Sequence, residues 1–361
     1  MAGLSSPVHP TSNASAAAIP NRMFASPVFW KTSQSANPRH PAPSPCPIPC
    51  GRPQRAQHRG TGMIRFILPS LLLAAACATP AAAPTPLSAT PQQLHANVAA
   101  FAQPTQDGRL AALKAQLDVA GLAYEIESFD GERAPPAAGH NVVVRLGPDE
   151  GREILLTAHY DAVVLKDGKL VDGAVDNAGS VVAMIETARR VAGRTKHPVR
   201  LILLDQEELG LIGARAWIDA HGVENIAAVI NADVNGNGDT LMYGLNNGQQ
   251  SLFMIGAVKA VCAERAISCL DFPQYPPSDD RAFSAAGAPT ISLGHQPKVE
   301  AERLRHFLIS PQGYDPAAPP PKVLTLIHTP NDTIAAVEPA ALALAADTFT
   351  ALVLKLDATL E

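Results

Sequence analysis

Three apolar segments in the middle of the chain are each followed at once by acidic or histidine side chains. Residues 153–157, 199–204 and 227–231 have the length and the aliphatic composition of buried β-strands. Helical spacing of apolar residues follows the first two of them, at 177–191 and near 213–220. Strands that alternate with helices predict an α/β fold, with a largely parallel, mixed central sheet sandwiched between helices.

The same patterns extend this alternation into a single folded domain. Further helices are predicted at 93–101, 109–120, 250–262 and 339–356, with Gly121 ending the second of them. Further strands are predicted at 124–128, 141–146 and 290–293. With 361 residues, of which 47% are hydrophobic, the chain is long enough to bury the core of one large domain.

The first 62 residues have a different composition from the rest of the chain. They are rich in Pro, Ser, Ala and Arg and show no sustained hydrophobic period. Such a segment cannot bury enough apolar surface to fold. Two interpretations stay open: residues 1–62 are a disordered extension, or they lie upstream of a true start at Met63.

Residues 63–78 have the pattern of an export signal. Arg65 supplies a short basic start, residues 66–76 are apolar and small residues follow. The run is too short for a stable transmembrane helix. Two kinds of signal fit this segment: a lipoprotein signal, in which Cys77 is lipidated, or an ordinary secretory signal that is cleaved near Cys77.

We therefore expect an exported protein, periplasmic or secreted. An Ala/Pro-rich linker is predicted at 79–91 and the folded domain at 92–361. The lipidated form would make contact with a membrane only through the anchor at Cys77. The sequence does not predict an oligomeric state.

Charge and cysteine usage narrow the possible partners and the compartment. The chain has a net charge of −5, although residues 1–62 contain no acidic residue, so the folded domain is more acidic than this figure. An acidic domain is a poor ligand for a phosphate backbone, which argues against a nucleic-acid partner.

The domain has only Cys262 and Cys269, which in an exported protein indicate one disulfide; two buried free thiols are the alternative.

Candidate metal ligands follow the predicted strands. His159 and Asp161 come after the first strand, Glu207 and Glu208 after the second, and Asp233 after the third. Ligands of open α/β sheets bind beyond the carboxyl ends of the strands, so we expect these side chains to converge. Histidine and carboxylate together are ligands that suit zinc.

The individual motifs differ in how specific they are. A His-x-Asp motif alone is weak evidence for a metal site. Asp161 could, however, accept a hydrogen bond from the second ring N–H of His159 and so fix its tautomer. Adjacent carboxylates at Glu207 and Glu208 are costly as like charges unless one binds a metal, which leaves the other free as a general base. Asp176, before a predicted helix, is either a helix cap or a carboxylate that bridges two metals.

A late histidine, His328, would complete the ligand set. With it the chain offers two histidines, a bridging Asp176, and one terminal carboxylate for each of two metals. A histidine in a loop is ordinarily just solvated, so His328 gains weight only from the other motifs.

Five motifs in this order resemble those of the clan MH zinc exopeptidases, in particular the bacterial leucyl aminopeptidases and aminopeptidase Y (peptidase family M28). The motifs are His159-Tyr160-Asp161, Asp176-Asn177-Ala178-Gly179, Glu207-Glu208, Asn231-Ala232-Asp233 and His328-Thr329 with Asp332-Thr333. The resemblance covers residues 91–361. It implies an α/β sheet between helices and two Zn²⁺ per chain.

The resemblance also implies a role for each residue. His159 and Asp233 would hold one zinc, Glu208 and His328 the other, and Asp176 would bridge them. Glu207 would be the general base and Asp161 would orient a ligand. A cis peptide bond after the bridging Asp176 is implied as well.

The substrate side of the site departs from the family. Members often have Ser-Asp-His where this chain has Ser278-Asp279-Asp280, so a histidine is missing and Asp280 would make the pocket more acidic. Asp279, Asp280 and Tyr275 are therefore weak candidates for substrate binding. The oxyanion-stabilising tyrosine of the family has no clear counterpart, with Tyr275 and Tyr243 as candidates. Some members have a disulfide before this segment, which Cys262 and Cys269 could form.

The leading hypothesis is an exported aminopeptidase that releases N-terminal residues from peptide or aminoacyl substrates through a zinc-activated water. A glutaminyl cyclase is the first alternative, since the resemblance implies the same fold with one zinc. A dipeptidase or carboxypeptidase is another, although residues 233–328 are short for the lid domain of such enzymes. A binding protein with a dead site is disfavoured because every expected ligand is present.

Overall fold

An eight-stranded sheet runs through the folded body, and the computed structural model describes residues 88–131, 138–315 and 317–360. The strands are β1 Tyr124–Phe129, β2 Gly139–Leu146, β3 Glu153–His159, β4 Val199–Leu204, β5 Ile226–Ala232, β6 Thr240–Gly244, β7 Ser268–Phe272 and β8 Thr290–Gln296. The helices are α1 Pro91–Ala99, α2 Gln106–Ala120, α3 Gly179–Val191, α4 Ile212–His221, α5 Leu252–Arg265, α6 Asp280–Ala285, α7 Lys298–Ile309 and α8 Pro339–Thr359.

The strand order is β1-β2-β4-β3-β5-β8-β6-β7. Strands β4, β3, β5 and β8 are parallel to their neighbours within this group, whereas β1, β2 and β6 join through antiparallel pairs. The prediction of a mixed, largely parallel sheet is therefore confirmed. Because the four central strands point the same way, their carboxyl ends lie along one edge of the sheet.

Alternating side chains of the central strands divide the core into two layers. In β3, Ile154 and Leu156 pack into the larger cluster, which also includes α3 and α8, while Leu155 packs with Trp217 of α4 on the other face. Successive side chains of a strand point to opposite faces, so each face needs its own cover of helices. Helix α8 would be long and apolar enough to cross a membrane, but most of its surface is buried and it packs along α3.

Helix α1 begins where the sequence contains a capping box. The Thr90 hydroxyl accepts a hydrogen bond from Gln93 N, and the Gln93 side chain accepts one from Thr90 N. Ala89 N donates to Glu186 of α3. The predicted linker at 79–91 was therefore wrong at its end, because residues 89–91 belong to the folded domain. The Ser/Thr-x-x-Gln pattern was the overlooked sign.

Several elements were not predicted. Strands β6 and β7 are only five residues long and helix α6 only six, so none shows a clear hydrophobic period. Helix α7 buries only Ala301 and Leu304 among many charged residues. The predicted export signal at 63–78 and the extension at 1–62 lie outside the described residues.

A protein shortened to begin at Ala81 should keep the stability of the full chain, because the described core begins with Ala89 and the cap of α1. A protein that begins at Gln92 loses this cap, which costs about 0.5–2 kcal/mol and lowers Tm by a few degrees. Thermal unfolding of both proteins measures this. A large loss of stability in the protein beginning at Ala81 would contradict the prediction.

Candidate metal centre

The carboxyl edge of the central strands brings the predicted ligands together. His159 is the last residue of β3, Asp233 follows β5 directly, and Glu207 and Glu208 lie in the turn after β4. Just inside this edge the buried Thr157 hydroxyl donates to Asn231 Oδ1 at 2.8 Å, which ties β3 to β5. The strand ends are thus held in register before the ligands begin.

The carboxylate of Asp176 lies between the two histidines. His159 Nε2 is 3.2 Å from its Oδ1, and His328 Nε2 is 3.1 Å from its Oδ2. On the outer sides, His159 Nε2 is 3.6 Å from Asp233 Oδ1 and His328 Nε2 is 3.2 Å from Glu208 Oε2. Each oxygen of Asp176 therefore faces a separate pair of one histidine and one terminal carboxylate.

The backbone before α3 presents Asp176 in this position. Residues Ala174–Ala178 form a kinked turn in which Asp176 and Asn177 have non-helical φ and ψ, and the Asp176–Asn177 peptide bond is cis, as the resemblance implied. The Asp332 carboxylate accepts hydrogen bonds from Val175 N at 2.7 Å and from Asp176 N at 3.1 Å. The turn is thus held by a carboxylate from the loop that follows His328.

The side chain of Asn177 links this turn to the segment that contains Asp233. Its amide donates to Ala232 O at 3.0 Å and its carbonyl accepts from Val234 N at 3.3 Å, on either side of Asp233. Val234 has φ 62°, a left-handed conformation that is unusual for a β-branched residue. Such outliers concentrate at functional sites, where neighbouring contacts impose them.

Asp161 lies behind His159 and holds the turn after β4. Its two oxygens accept hydrogen bonds from Glu207 N at 3.1 Å and Glu208 N at 3.2 Å. Its Oδ1 is also 3.3 Å from His159 Nδ1. One buried carboxylate thus orients three of the residues that the sequence analysis singled out.

The donors of this cluster fit a metal ion. His159 with Asp176 and Glu208, and His159 with Glu207 and Asp233, offer ligand atoms that lie within 4.8 Å of one another. Asp233 Oδ1 is buried without a hydrogen-bond partner among the described residues. Imidazole nitrogen and carboxylate oxygen are typical zinc ligands, so the cluster has the chemistry of a zinc site.

Proximity shifts the pKa values of the bridging group and its neighbours. Burial opposes ionisation of Asp176, but hydrogen bonds from His159 and His328 outweigh it and lower the pKa of this carboxyl. Burial also disfavours a charged His328, yet its contacts with Asp176 and Glu208 raise its pKa to about 11. Burial, followed by the charge of Asp176, raises the pKa of Glu208 to about 7.

Glu207 stands apart from these ion pairs. Burial raises its pKa well above the usual value, opposed by His159 and reinforced by the charges of Asp279, Glu208 and Asp233. Its carboxylate lies within reach of His159 and Asp233 without belonging to either pair of a histidine and a terminal carboxylate around Asp176. It is therefore a carboxylate of the cluster that lies outside these ion pairs and can take up a proton.

The side chains of the candidate substrate residues are buried. Asp279 is fully buried, and neither of its oxygens has a hydrogen-bond partner among the described residues. Asp280 is also buried; it accepts a hydrogen bond from Ser278 N at 3.0 Å and lies 3.7 Å from the Arg281 side chain. Tyr275 and Tyr243 are also buried.

A cavity of about 380 Å³ reaches the cluster from the side of α2. Its lining includes Gln106, Leu110, Tyr160, Asp161, Asp205 and Glu208. A larger cavity of about 440 Å³ lies between α5 and α8, at the amino ends of β5 and β8. Because that end is remote from the ligands, the cavity beside Glu208 is the one of these two that can serve the metal centre.

The disulfide between Cys262 and Cys269 joins the end of α5 to β7. It lies beside the larger core cluster rather than among the ligands.

Two residues that support the metal centre were not predicted from the sequence: Asp332, which was quoted in a motif without a role, and Arg109 of α2. The hydrophobic period of a helix does not show that one of its charged residues is buried, so the sequence did not indicate a role for Arg109.

Proteins of known sequence and structure resemble this chain over part of its length. The vacuolar membrane protease of Yarrowia lipolytica (strain CLIB 122 / E 150) is 33% identical over 122 residues, 30% of this chain but only 12% of that relative. A zinc aminopeptidase from Bacillus subtilis, BSAP, aligns with TM-score 0.48 at 22% identity and covers 60% of this chain and 49% of its own. The chain thus spans about half of that enzyme.

A glutaminyl cyclase from Porphyromonas gingivalis aligns with TM-score 0.58 at 17% identity, over 73% of this chain and 97% of the cyclase. At this identity the likeness concerns the fold alone. The model of peptidase family M28 matches residues 141–353, which include every ligand of the cluster. Since this match covers more than half of the chain, the protein belongs to peptidase family M28 and has the fold of a zinc-dependent peptidase.

Proposed function

We propose that the protein is an exported exopeptidase that binds two zinc ions and releases N-terminal residues from peptides. The observation that carries this proposal is the Asp176 carboxylate, whose two oxygens face two complete sets of a histidine and a terminal carboxylate. A site for one metal would need only one of these sets. Export is proposed from residues 63–78 alone.

The ligands divide around Asp176. His159 and Asp233 would hold one zinc, and His328 and Glu208 the other, with Asp176 shared between them. When bound, the two ions polarise the scissile carbonyl and make an attacking water more acidic. Asp161 keeps the turn of Glu207 and Glu208 in place through their backbone N–H groups.

Glu207 is the proton carrier in this proposal. Its carboxylate accepts a proton from the attacking water and delivers it to the amine that leaves. Burial raises its pKa, which favours proton uptake at neutral pH.

Glutaminyl cyclase activity is the second candidate, because the cyclase from Porphyromonas gingivalis shares the fold. The two activities give different products: a free amino acid from an aminoacyl amide, or a cyclised N-terminus from a glutaminyl peptide. Assaying both substrates after chelation and after zinc is restored separates them. A dipeptidase or carboxypeptidase would instead require a free substrate carboxylate.

Zinc binding should release protons at neutral pH. Metal-free His328 has a pKa raised to about 11, and the pKa of His159 is also raised well above its usual value by neighbouring carboxylates that outweigh burial. Both imidazoles are therefore protonated near pH 7 and must lose a proton to bind zinc, so the apparent affinity rises with pH. We expect roughly two to three protons released per chain, because Glu208, with a pKa of about 7, is also partly protonated before it binds zinc.

Calorimetry in buffers with different ionisation enthalpies counts these protons. His221, which pairs with Glu127 away from the cluster, offers a control, since His221→Gln should leave the count unchanged. Zinc binding without proton release near pH 7 would contradict the prediction.

Replacing the proton carrier should abolish most turnover and spare the metal. Glu207→Gln should lower kcat roughly 10²- to 10⁴-fold, because the amide cannot accept a proton. Zinc content, measured by elemental analysis, should stay near that of the wild type. Asp233→Asn is the matched variant, and it should lose metal; the reverse pattern would show that the two roles were assigned wrongly.

A further inference from the structure

Arg109 of α2 is the one Lys or Arg side chain that is fully buried among the described residues. It lies behind the metal centre, with Asp161, Asp332, Asp176 and Asp172 as its charged neighbours. Burial lowers its pKa to about 10, which these carboxylates oppose, so the guanidinium stays charged at neutral pH. A buried charge is costly unless nearby groups compensate it.

The guanidinium bonds three backbone carbonyls from three segments. Its Nε donates to Tyr160 O at 2.7 Å, and its Nη1 donates to Phe101 O at 3.0 Å and to Asp172 O. The Phe101 ring lies under the guanidinium, 5.4 Å from its carbon to the ring centroid. The planar fork of arginine can hold several acceptors in fixed directions, which a lysine cannot do.

Two of these carbonyls belong to segments that deliver ligands. Tyr160 stands between His159 and Asp161, and Asp172 begins the loop that leads to Asp176. The adjoining Gly173 has φ 56°, and a Cβ at this position would lie 3.3 Å from Arg109 Nη2. The loop therefore passes directly over the guanidinium.

We propose that Arg109 is a positioning residue for the two-metal centre, whose charge and hydrogen bonds set the segments of His159 and Asp176 at the separation that metal binding requires. This inference rests on the proposed function, because it concerns the same centre. Arg109 touches neither substrate nor ligand atoms. It acts through the Tyr160 and Asp172 carbonyls and through its charge beneath a group of carboxylates.

A purely structural tie would explain the same hydrogen bonds, since Phe101 O anchors the corner between α1 and α2. The two roles differ in what metal binding would show. A structural tie affects stability alone, whereas a positioning residue affects zinc affinity beyond what the loss of stability explains.

The test uses Arg109→Met, Arg109→Lys and Leu113→Ala in the full chain. Leu113 lies one turn further along α2, is fully buried and has no charge, so its truncation destabilises the same helix without touching the centre. Zinc dissociation constants are measured by competition with a chromophoric chelator, and Tm is measured without metal.

We expect zinc affinity to fall roughly 10- to 100-fold in Arg109→Met, the range found when groups that orient metal ligands are removed. Arg109→Lys keeps the charge but not the fork, and its affinity should fall roughly threefold to tenfold. Leu113→Ala should stay within about threefold of the wild type, because it is not coupled to the centre.

Zinc affinities in Arg109→Met and Arg109→Lys equal to that of Leu113→Ala would overturn the proposal. If Arg109→Met does not fold, Arg109→Lys decides alone, and wild-type affinity in it would overturn the proposal too. A wild-type protein that binds no zinc would instead refute the proposed function, so the two failures are distinguishable.

Discussion

The contact of one carboxylate with two histidines is the interaction around which the rest of the site is arranged. Asp176 can face His159 and His328 only if the carboxyl end of β3, the turn before α3 and a loop near the end of the chain converge. These segments are fixed by hydrogen bonds that the Asp332 and Asp161 carboxylates accept from backbone N–H groups and by one that the Asn177 amide donates. The parallel strands provide the common edge on which that convergence is possible.

This arrangement concentrates negative charge in a buried place, which by itself opposes folding. The structure offsets the cost in three ways. Backbone N–H groups face Asp161 and Asp332, the protonated histidines face Asp176, and the charge of Arg109 lies near Asp161, Asp332 and Asp176. Metal ions placed between the carboxylates would add the largest compensation, since they carry the highest charge in such a site.

The strand pattern predicted the central parallel strands, and the motifs selected the residues that converge at their carboxyl ends. His159, Glu208 and Asp233 directly follow or lie near the ends of buried strands, where periodicity is clear. The hydrophobic pattern could not place His328, because it lies in a loop, and the residue was selected because it completes the ligand set that the other motifs begin.

The elements that were missed are short or weakly apolar, and the residues that were missed act through tertiary contacts. Strand β7 pairs with β6 and packs against α7, and these are contacts between segments distant in sequence. Its local hydrophobic pattern therefore does not predict it. The contacts of Asp280 with Arg281 and with Ser278 N depend on the start of α6, which the sequence pattern did not predict. Arg109 lies far from the ligands in sequence, and only the folded chain brings it beneath Asp176.

Anomalous diffraction at the zinc absorption edge, from crystals grown with zinc, tests the central claim most directly. The account predicts two peaks, one on each side of the Asp176 carboxylate. One should lie among His159, Asp176 and Asp233, and the other among His328, Asp176 and Glu208. A single peak, or two peaks that do not share Asp176 as a ligand, would contradict it.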